Sequence, residues 1–466
     1  MYSDTIAAIA TPPGEGGIGT IRLSGPDAAP ILSRIFLPAT GTPVQPDTIE
    51  SHRLIFGHIA DPATGERVDE VLAVLMRAPH SYTREDVAEI DCHGGQVPLQ
   101  RVLSLCLREG ARLAQPGEFT LRAFLNGRLD LAQAEAVLDV VQARTPEGLR
   151  LAVEQLGGGV SARVKGVRAK LLHALAHLEA NIDFPEDDVP PADISPDLRD
   201  ALSDLQALIA SASTGIVMRQ GVRTAIVGRP NVGKSSLLNA LLRTERAIVT
   251  PIPGTTRDTL EEVANVRGVP LVLTDTAGLR AHSDANDHVE RLGMERTRRA
   301  LAEADLVILV LDNSEPLTEA DLAIIDEVRA TGASARLAVL NKSDLPAILD
   351  TEALSRALDG IQTISASATA LGGTDTLEEQ LAAMVLGGKA TPRRGEATVT
   401  SVRHLDALRR AEDLVTSALD SSEENAPAAL TAVDLHSALN ALGEITGETV
   451  GEDLLDEIFR NFCIGK

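Results

Sequence analysis

A glycine-rich segment, GRPNVGKSS at residues 228–236, carries the residue types that bind nucleotide phosphates. It matches the pattern G-x-x-x-x-G-K-[ST] and lies between a strand-like run, RTAIV, and a helix-like run, SSLLNALL. In such a loop the glycines let backbone N–H groups face phosphate oxygens, and the following helix adds a positive dipole. We expect Lys234 to reach the β- and γ-phosphates and the Ser235 hydroxyl to ligate Mg²⁺. A chance glycine-rich turn is the alternative, and the matching flanks argue against it.

Two later segments supply candidate contacts to the metal and the γ-phosphate. The sequence DTAG, residues 275–278, ends the apolar run LVLT. There Asp275 can hold the metal through its water shell, and the Gly278 N–H can contact the γ-phosphate. The sequence PIPGTTRD, residues 251–258, supplies Thr256 as a second Mg²⁺ ligand on a loop that would order around the γ-phosphate.

A third pair of motifs predicts that the base is guanine. NKSD, residues 341–344, ends the run RLAVL, and SAS, residues 365–367, follows the last strand-like run. The Asp344 carboxylate can accept two parallel hydrogen bonds from the ring N–H and exocyclic amine of guanine, which adenine does not offer. The SAS segment can support the base through its backbone. The predicted GTP contacts are Asn231, Val232, Gly233, Lys234, Ser235, Ser236, Thr250, Pro251, Ile252, Pro253, Gly254, Thr255, Thr256, Asp275, Thr276, Ala277, Gly278, Asn341, Lys342, Asp344, Ser365 and Ala366.

The hydrolytic machinery lacks one familiar part. Leu279 stands where Ras-like GTPases carry the glutamine that orients the attacking water. Arg257 and Arg280 are the candidate arginine fingers, and neither is an obvious one. A cation, or a partner domain that orders the loops, is then needed to stabilise the transition-state charge. Glu290 is a candidate to orient the water, and the alternative for it is a solvated carboxylate at a helix start.

The pattern of apolar residues predicts a multidomain chain. Residues 1–118 mix short strands with Gly/Pro turns, which indicates a small α+β domain. Apolar residues recur at helical spacing over residues 119–215 and again over 387–466. Residues 216–386 alternate strands and helices, which is typical of a parallel α/β sheet. We therefore predict a discontinuous α-helical domain with a Ras-like α/β P-loop G domain inserted into it.

Composition limits the partners and the compartment. A net charge of −24, with no Trp, disfavours general nucleic-acid affinity. Cys92, Cys106 and Cys463 show no metal-type spacing, and no segment resembles a signal peptide or a membrane helix, so we expect a cytoplasmic protein without a membrane. One cluster is basic, and it is either a local tRNA-binding patch or an ordinary charged helix face. Its residues are Lys389, Arg393, Arg394, Arg403, Arg409 and Arg410.

With these motifs in hand, the chain resembles the MnmE (TrmE) family of tRNA uridine-5-carboxymethylaminomethyl modification GTPases. The resemblance runs from end to end. It rests on ATPPGEGGIGTIRLSG, PGEFTLRAFLNGRLDLAQAEAV, PGTTRD, DTAGLR and the terminal FCIGK. The first and last of these are far more specific than a phosphate-binding loop.

The resemblance implies an N-terminal domain that dimerises and binds tetrahydrofolate in its 5-formyl or 5,10-methylene form. It also implies that K⁺ and GTP bring two G domains together and so activate hydrolysis to GDP, with K⁺ in the place of the arginine finger. Glu290 matches the family's water-orienting glutamate. The positions that match the family's K⁺ ligands are Asn231, Thr250, Ile252 and Thr255.

The matching folate positions are Arg22, Glu89, Arg128 and Lys466. The family commonly has Lys where this chain has Arg128, and Arg is not an equivalent donor to a folate carboxylate. We therefore expect the charge to be kept and the geometry to differ. Cys463 matches a candidate nucleophile by position, with a buried inert thiol as the alternative.

The resemblance further implies a homodimer that works with the flavin-dependent partner MnmG, as a heterotetramer. Together they place a carboxymethylaminomethyl or aminomethyl group on C5 of the wobble uridine of certain tRNAs, and the partner makes most of the tRNA contacts. Two alternatives stay open: a regulatory GTP switch that binds an RNA or ribosomal partner, and a folate-dependent transferase in which GTP is only structural.

Overall fold

The structure is a computed structural model that describes residues 4–183, 193–244, 262–273, 298, 300–389, 391–424 and 426–466. The chain divides into two compact units. The first comprises Met1–Leu138, Leu156–Lys165 and Leu439–Lys466, and the second comprises Asp139–Gln155 and Gly166–Ala438.

The first unit is built on a seven-stranded sheet with the order β3-β4-β5-β6-β2-β1-β7. Neighbouring strands are antiparallel except β1 and β7, which are parallel. The strands are β1 (Ile6–Ile9), β2 (Gly16–Ser24), β3 (Phe36–Pro38), β4 (Ile55–Ala60), β5 (Arg67–Met76), β6 (Val87–Gly94) and β7 (Arg112–Leu113). The first helices are α1 (Ala28–Ile35), α2 (Gln96–Arg108), α3 (Glu118–Leu125) and α4 (Leu131–Gln142).

Alternating side chains give this sheet two different faces. In β5, Val71, Ala73 and Leu75 are buried together with residues of α1 and α2, so these two helices cover one face. Strand β2 and helix α2 pack closely here, because a Cβ at Gly19 of β2 would lie 2.5 Å from a methyl carbon of Leu99 in α2. The short strands and the α+β fold predicted for this part of the chain are confirmed.

The last residues of the chain pack against this unit. Helix α14 (Glu452–Arg460) and the residues after it bury Phe459 and Phe462 against α4. Beyond them, Ile464 forms a bridge with Pro116. Gly465 has φ +95°, and a Cβ there would lie 2.6 Å from the carbonyl oxygen of Ile9. A glycine is therefore needed for the terminus to run this close to β1.

The second unit contains a six-stranded sheet with the order β13-β12-β11-β8-β10-β9, parallel except for β9. Its strands are β8 (Val222–Val227), β9 (Glu262–Val266), β10 (Val269–Leu273), β11 (Leu306–Asp312), β12 (Ala335–Asn341) and β13 (Gln362–Ser365). Its helices include α8 (Lys234–Thr244), α9 (Glu319–Arg329), α10 (Thr351–Leu358) and α11 (Asp375–Val385). The strand β11 is buried along its whole length, as expected for a sheet covered on both faces. The predicted α/β alternation is confirmed.

Helices before and after this sheet complete the described elements. They are α5 (Pro146–Leu156), α6 (Gly159–Asp183), α7 (Ser195–Gln220), α12 (Val402–Glu423) and α13 (Ala428–Thr446). Within the second unit, a Cβ at Gly215 of α7 would lie 2.2 Å from the carbonyl oxygen of Val399, just before α12. Helix α7 begins at Ser195, and residues 184–192, which belong to an acidic, proline-rich stretch of the sequence, lie outside the described residues.

One helix departs from the sequence expectation about membranes. By length and composition alone, α7 is apolar enough to cross a membrane, whereas no such segment was predicted. Among its residues, Leu198, Leu205 and Ala212 are fully buried inside the second unit. The core helix of a globular protein passes the same length and composition test, and these buried residues account for part of the apolar composition of α7.

Candidate functional site

The predicted phosphate-binding loop joins β8 to α8 and has a backbone that only glycine can adopt at two positions. Gly228 has φ +150°, and a Cβ there would lie 2.4 Å from the carbonyl oxygen of Val310. Gly233 has φ +97°, and a Cβ there would lie 2.1 Å from Nδ2 of Asn341. Between them Asn231 has φ +67°, a conformation that asparagine tolerates better than most residues. The glycines thus allow the tight loop that a phosphate chain requires.

Lys234 begins α8 and turns back over this loop. Its Nζ donates hydrogen bonds to the carbonyl oxygens of Gly228 and Arg229, both at 2.7 Å. Burial lowers the pKa of Lys234 to about 8. Both acceptors are neutral, so an anionic ligand in the loop would favour the charged amine. The donors and the close-fitting glycines therefore suit a nucleotide phosphate.

We predict that nucleotide binding takes up a proton at alkaline pH. Phosphate oxygens raise the pKa of Lys234, so at pH 9 a mostly neutral amine becomes charged and binding takes up about 0.9 proton. At pH 6.5 the amine is already charged and this uptake vanishes, and GTP affinity falls as the pH rises through 8. Calorimetry of GDP binding in buffers of different ionisation enthalpy measures the protons. Equal uptake at both pH values would contradict the assignment.

The base-reading motif is tied directly to the phosphate-binding loop. Asn341 at the end of β12 is buried, and its Nδ2 donates to the carbonyl oxygen of Val232 at 2.8 Å. Asp344 accepts a 2.6 Å hydrogen bond from the hydroxyl of Ser367. Lys342 has φ +61° and its Nζ lies 2.5 Å from a carboxylate oxygen of Asp312. These contacts fix the loop that would read the base.

Two contacts in this region carried no sequence signal. Ser367 was assigned to base support through its backbone, and the structure shows its hydroxyl holding Asp344. Arg229 in the phosphate-binding loop pairs with Asp321 at 3.1 Å. Asp321 also completes a capping box with Thr318 at the start of α9. The arginine therefore anchors the loop to a helix N-terminus far along the chain.

Much of the predicted machinery lies outside the described residues. Ser235 is half-buried and Ser236 exposed at the start of α8, while Ser365 and Ala366 end β13 and begin the next loop. The structure therefore places one of the two predicted Mg²⁺ ligands and one of the four predicted K⁺ ligands, Asn231. The predicted residues that lie outside the described part are Thr250, Pro251, Ile252, Pro253, Gly254, Thr255, Thr256, Asp275, Thr276, Ala277, Gly278 and Glu290.

A second candidate site lies in the first unit, where β2 and β6 pair. Arg22 and Glu89 are cross-strand partners, and the Nε of Arg22 donates to Glu89 Oε1 at 2.7 Å. Arg22 also donates to the carbonyl oxygen of Gly465 at 3.2 Å, which places the chain terminus at this site. Burial and the nearby positive charge of Arg22 lower the pKa of Lys466. Residues from opposite ends of the sequence therefore meet here.

Tyr82 is the residue of this site that sequence reasoning missed. The guanidinium carbons of Arg22 and Arg128 lie 5.7 Å and 4.7 Å from the centre of its ring. Its hydroxyl is 2.9 Å from that of Thr120 in α3. Of the four predicted folate positions, Arg22 and Arg128 thus lie over one aromatic ring, Glu89 pairs with Arg22, and Lys466 lies near enough to Arg22 to feel its charge. This donor set fits an aromatic ligand that carries carboxylates, such as a folate.

The cysteines differ in exposure. Cys463 is exposed, so the alternative of a buried thiol at this position is wrong. Cys92 and Cys106 are buried, and burial raises the pKa of each thiol to about 12, which makes both of them inert.

The basic cluster is mostly exposed and partly paired. Arg393, Arg394 and Arg409 are exposed, and Arg410 pairs with Asp406 one turn earlier at 3.0 Å. Lys389 donates to the hydroxyl of Ser213 at 2.8 Å. Both alternatives, a tRNA-binding patch and a charged helix face, fit this arrangement.

Comparison with known proteins gives the family. Residues 5–128 match the model of the GTP-binding protein TrmE N-terminus, and residues 131–463 match that of the MnmE helical domain. The tRNA modification GTPase MnmE of Chloroflexus aurantiacus is 53% identical over the whole of both chains, and that of Roseiflexus castenholzii is 51% identical over the same extent.

Among solved structures, Era in complex with MgGDPNP and 16S ribosomal RNA nucleotides is 26% identical. It covers 41% of this chain and 65% of its own, with a TM-score of 0.27. The identities of the curated relatives, which extend over their full lengths, decide the assignment. This chain belongs to the MnmE family of tRNA modification GTPases and is a GTP-hydrolysing enzyme.

Proposed function

We propose that this protein is a K⁺-stimulated GTPase whose G domains dimerise. With a flavin-dependent partner of the MnmG type, in a heterotetramer, it adds a carboxymethylaminomethyl or aminomethyl group to C5 of the wobble uridine of certain tRNAs, using a one-carbon unit from tetrahydrofolate. One observation carries this proposal: a single chain combines a guanine-nucleotide site with the cationic site around Tyr82. The proposal includes three domains, with the helical domain divided between residues 119–215 and 387–466, and a cytoplasmic location.

In the nucleotide step, the residues divide between binding and positioning. Lys234 neutralises the β- and γ-phosphates, and Asp344, held by Ser367, selects guanine. Ser235 and Thr256 would hold a Mg²⁺ ion, which would supply further charge stabilisation to the phosphate oxygens. Glu290 orients the attacking water, and its assignment rests on the family resemblance.

Potassium is proposed to replace the missing polar side chain at Leu279. Asn231 is exposed on the phosphate-binding loop and offers the amide and carbonyl oxygens that alkali cations prefer. Thr250, Ile252 and Thr255 would complete the donor set with oxygen atoms. A monovalent cation held by these residues would supply the positive charge that an arginine finger gives in other GTPases.

The test of this function compares GTP hydrolysis in equal concentrations of KCl and NaCl. We expect K⁺ to raise the rate about tenfold or more, because one transition-state contact is typically worth at least that much. Asn231→Gly keeps the left-handed backbone and removes the amide, so it should lose the K⁺ stimulation and keep its affinity for GDP. Equal rates in the two salts would overturn the proposed role of K⁺.

In the folate step, Arg22, Arg128 and Lys466 bind the carboxylates of the ligand, and Glu89 orients Arg22. Tetrahydrofolate supplies the one-carbon unit when it is bound. The planar guanidinium of Arg128 can stack on Tyr82, which a lysine ammonium would not do in the same way. The arginine at this position therefore keeps the charge and adds a stacking contact.

Dimerisation through the first unit is supported by the sheet face opposite α1 and α2. Phe56 and Leu72 are cross-strand partners on this face, and both side chains are exposed. Ile18 of β2 is 64% exposed as well. Exposed apolar side chains on one sheet face are typical of a protein–protein interface. We propose a second copy of this chain as the partner.

We predict that Phe56→Asp shifts the protein from dimer to monomer at micromolar concentration, since a buried charge in the interface costs several kcal/mol. Leu113→Asp is the matched control, because Phe56 and Leu113 are each 49% exposed in the same unit. Sedimentation velocity measures the fraction of dimer in each of the two variants. If Phe56→Asp stays dimeric, or if both variants dissociate alike, this face is not the interface.

The alternative function, a regulatory GTP switch that binds an RNA or ribosomal partner, has no need for the cationic site around Tyr82. Titration of 5-formyl-tetrahydrofolate discriminates between the two functions. Micromolar binding supports the enzyme, and no binding at millimolar ligand supports the switch.

A further inference from the structure

A depression beside Tyr82 is lined by basic side chains, although the chain as a whole is acidic. Its volume is about 560 Å³, and its titratable or charged lining residues besides Tyr82 are His52, His80, Arg84 and Arg128. No carboxylate belongs to the lining among the described residues. The whole chain has 67 acidic and 43 basic residues, so a lining with two arginines and two histidines departs from the average surface. Such a depression attracts anions.

The backbone holds two of these side chains in conformations that few residues adopt. Arg84 has φ +60° and His52 has φ +62°. Arg84 is further fixed by a 3.0 Å hydrogen bond from Nη1 to the carbonyl oxygen of Asn126. Asn231 and Lys342, in the nucleotide motifs, share this left-handed backbone. Strained residues of this kind gather at ligand sites, where the surrounding structure holds them in place.

The nearby carboxylates do not neutralise the depression. Glu85 lies 3.2 Å from the buried Arg122, and Asp86 lies 3.0 Å from Arg77. Arg84 and Arg128 have no carboxylate within ion-pair distance in the part of the chain that the structure describes. Two exposed guanidinium groups are therefore available to a ligand that carries more than one negative charge.

We infer that this depression binds the γ-linked glutamate tail of a tetrahydrofolate and so makes the protein prefer polyglutamylated folate. The inference rests on the proposed folate site, because Arg128 belongs to both the depression and that site. Each added γ-glutamate contributes one more carboxylate, and guanidinium groups match carboxylates with two parallel hydrogen bonds. Continuity with Tyr82 favours a folate tail over the phosphates of an RNA, which would need a longer basic track.

The experiment compares 5-formyl-tetrahydrofolate carrying one or three glutamates, by calorimetry on the full-length protein at low salt. We expect the triglutamate to bind about three- to tenfold more tightly, as one or two partly exposed ion pairs allow. Arg84→Asn removes the charge and tolerates the left-handed backbone, so it should abolish this gain and leave monoglutamate binding unchanged. Arg101→Gln removes an exposed arginine of the same unit outside the depression and should retain the gain.

Each other result has a definite meaning. Equal affinity of the unaltered protein for both ligands overturns the tail site and leaves the proposed folate site intact. Failure of both ligands to bind overturns the folate site and the inference with it. If Arg84→Asn weakens tRNA binding but keeps the triglutamate gain, the depression serves RNA and the inference is wrong. A gain that disappears at high salt supports the ionic origin of the preference.

Discussion

Replacing Asp344 with Asn should lower the affinity for GTP by about 100-fold or more and shift the preference of the site towards xanthosine triphosphate. The carboxylate accepts two hydrogen bonds from guanine, and charge-assisted bonds of this kind are worth about 1.5–3 kcal/mol each. Asparagine presents one donor and one acceptor instead, which suits the carbonyl oxygen that xanthine carries at the same place. Competition of GTP and of xanthosine triphosphate against a fluorescent GDP analogue measures the affinity of each variant for the two nucleotides.

The structure supplies a matched control for this experiment. Ser367 donates a 2.6 Å hydrogen bond to Asp344 and plays a positioning role. Ser367→Ala should weaken GTP binding by about fivefold, as expected for a single hydrogen bond, without any gain for xanthosine triphosphate. If Asp344→Asn retains the affinity of the unaltered protein for GTP, the motif does not read the base. If Ser367→Ala also changes the base preference, the two residues act as a unit.

The nucleotide site could be predicted well from sequence because its parts are short and local. Gly228, Gly233 and Lys234 lie within one turn between a strand and a helix, and their spacing alone determines the loop. The strands that carry the motifs are continuous apolar runs, such as β11, which a parallel sheet requires. Even here the hydrogen bond from Asn341 to Val232 could not be foreseen, since 109 residues separate the two.

The site around Tyr82 could not be built from sequence in the same way. It depends on the register that sets Arg22 opposite Glu89, and on a C-terminus that packs against β1 through Gly465. Neither is encoded by a local pattern. The resemblance to a known family indicated four of the residues, but only the coordinates added Tyr82, because a single aromatic residue in a turn has no periodicity to distinguish it. Register and terminal docking are properties of the assembled unit.

Removing the guanidinium of Arg22 gives the second large effect. Arg22→Met keeps the apolar part of the side chain and should weaken binding of 5-formyl-tetrahydrofolate by about 10- to 100-fold, the value of a charge-assisted hydrogen bond. The substitution also removes the cation that lies 2.7 Å from Glu89. The carboxylate of Glu89 would then repel the carboxylates of the ligand. Fluorescence or calorimetric titration gives the dissociation constants, and GDP affinity should be unchanged because the nucleotide motifs lie in the second unit.

Two comparisons separate a binding role for Arg22 from a purely structural one. Arg34→Met breaks a similar ion pair, 2.6 Å from Glu109, in the same unit and should leave folate affinity unchanged. Arg22→Lys keeps the charge and should recover part of the lost affinity, since an ammonium pairs with a carboxylate but cannot span both Glu89 and the Gly465 carbonyl as a guanidinium does. Folate affinity of Arg22→Met within twofold of the unaltered protein would remove Arg22 from the site. A loss in Arg34→Met as large as that in Arg22→Met would show that both substitutions act through the stability of the sheet.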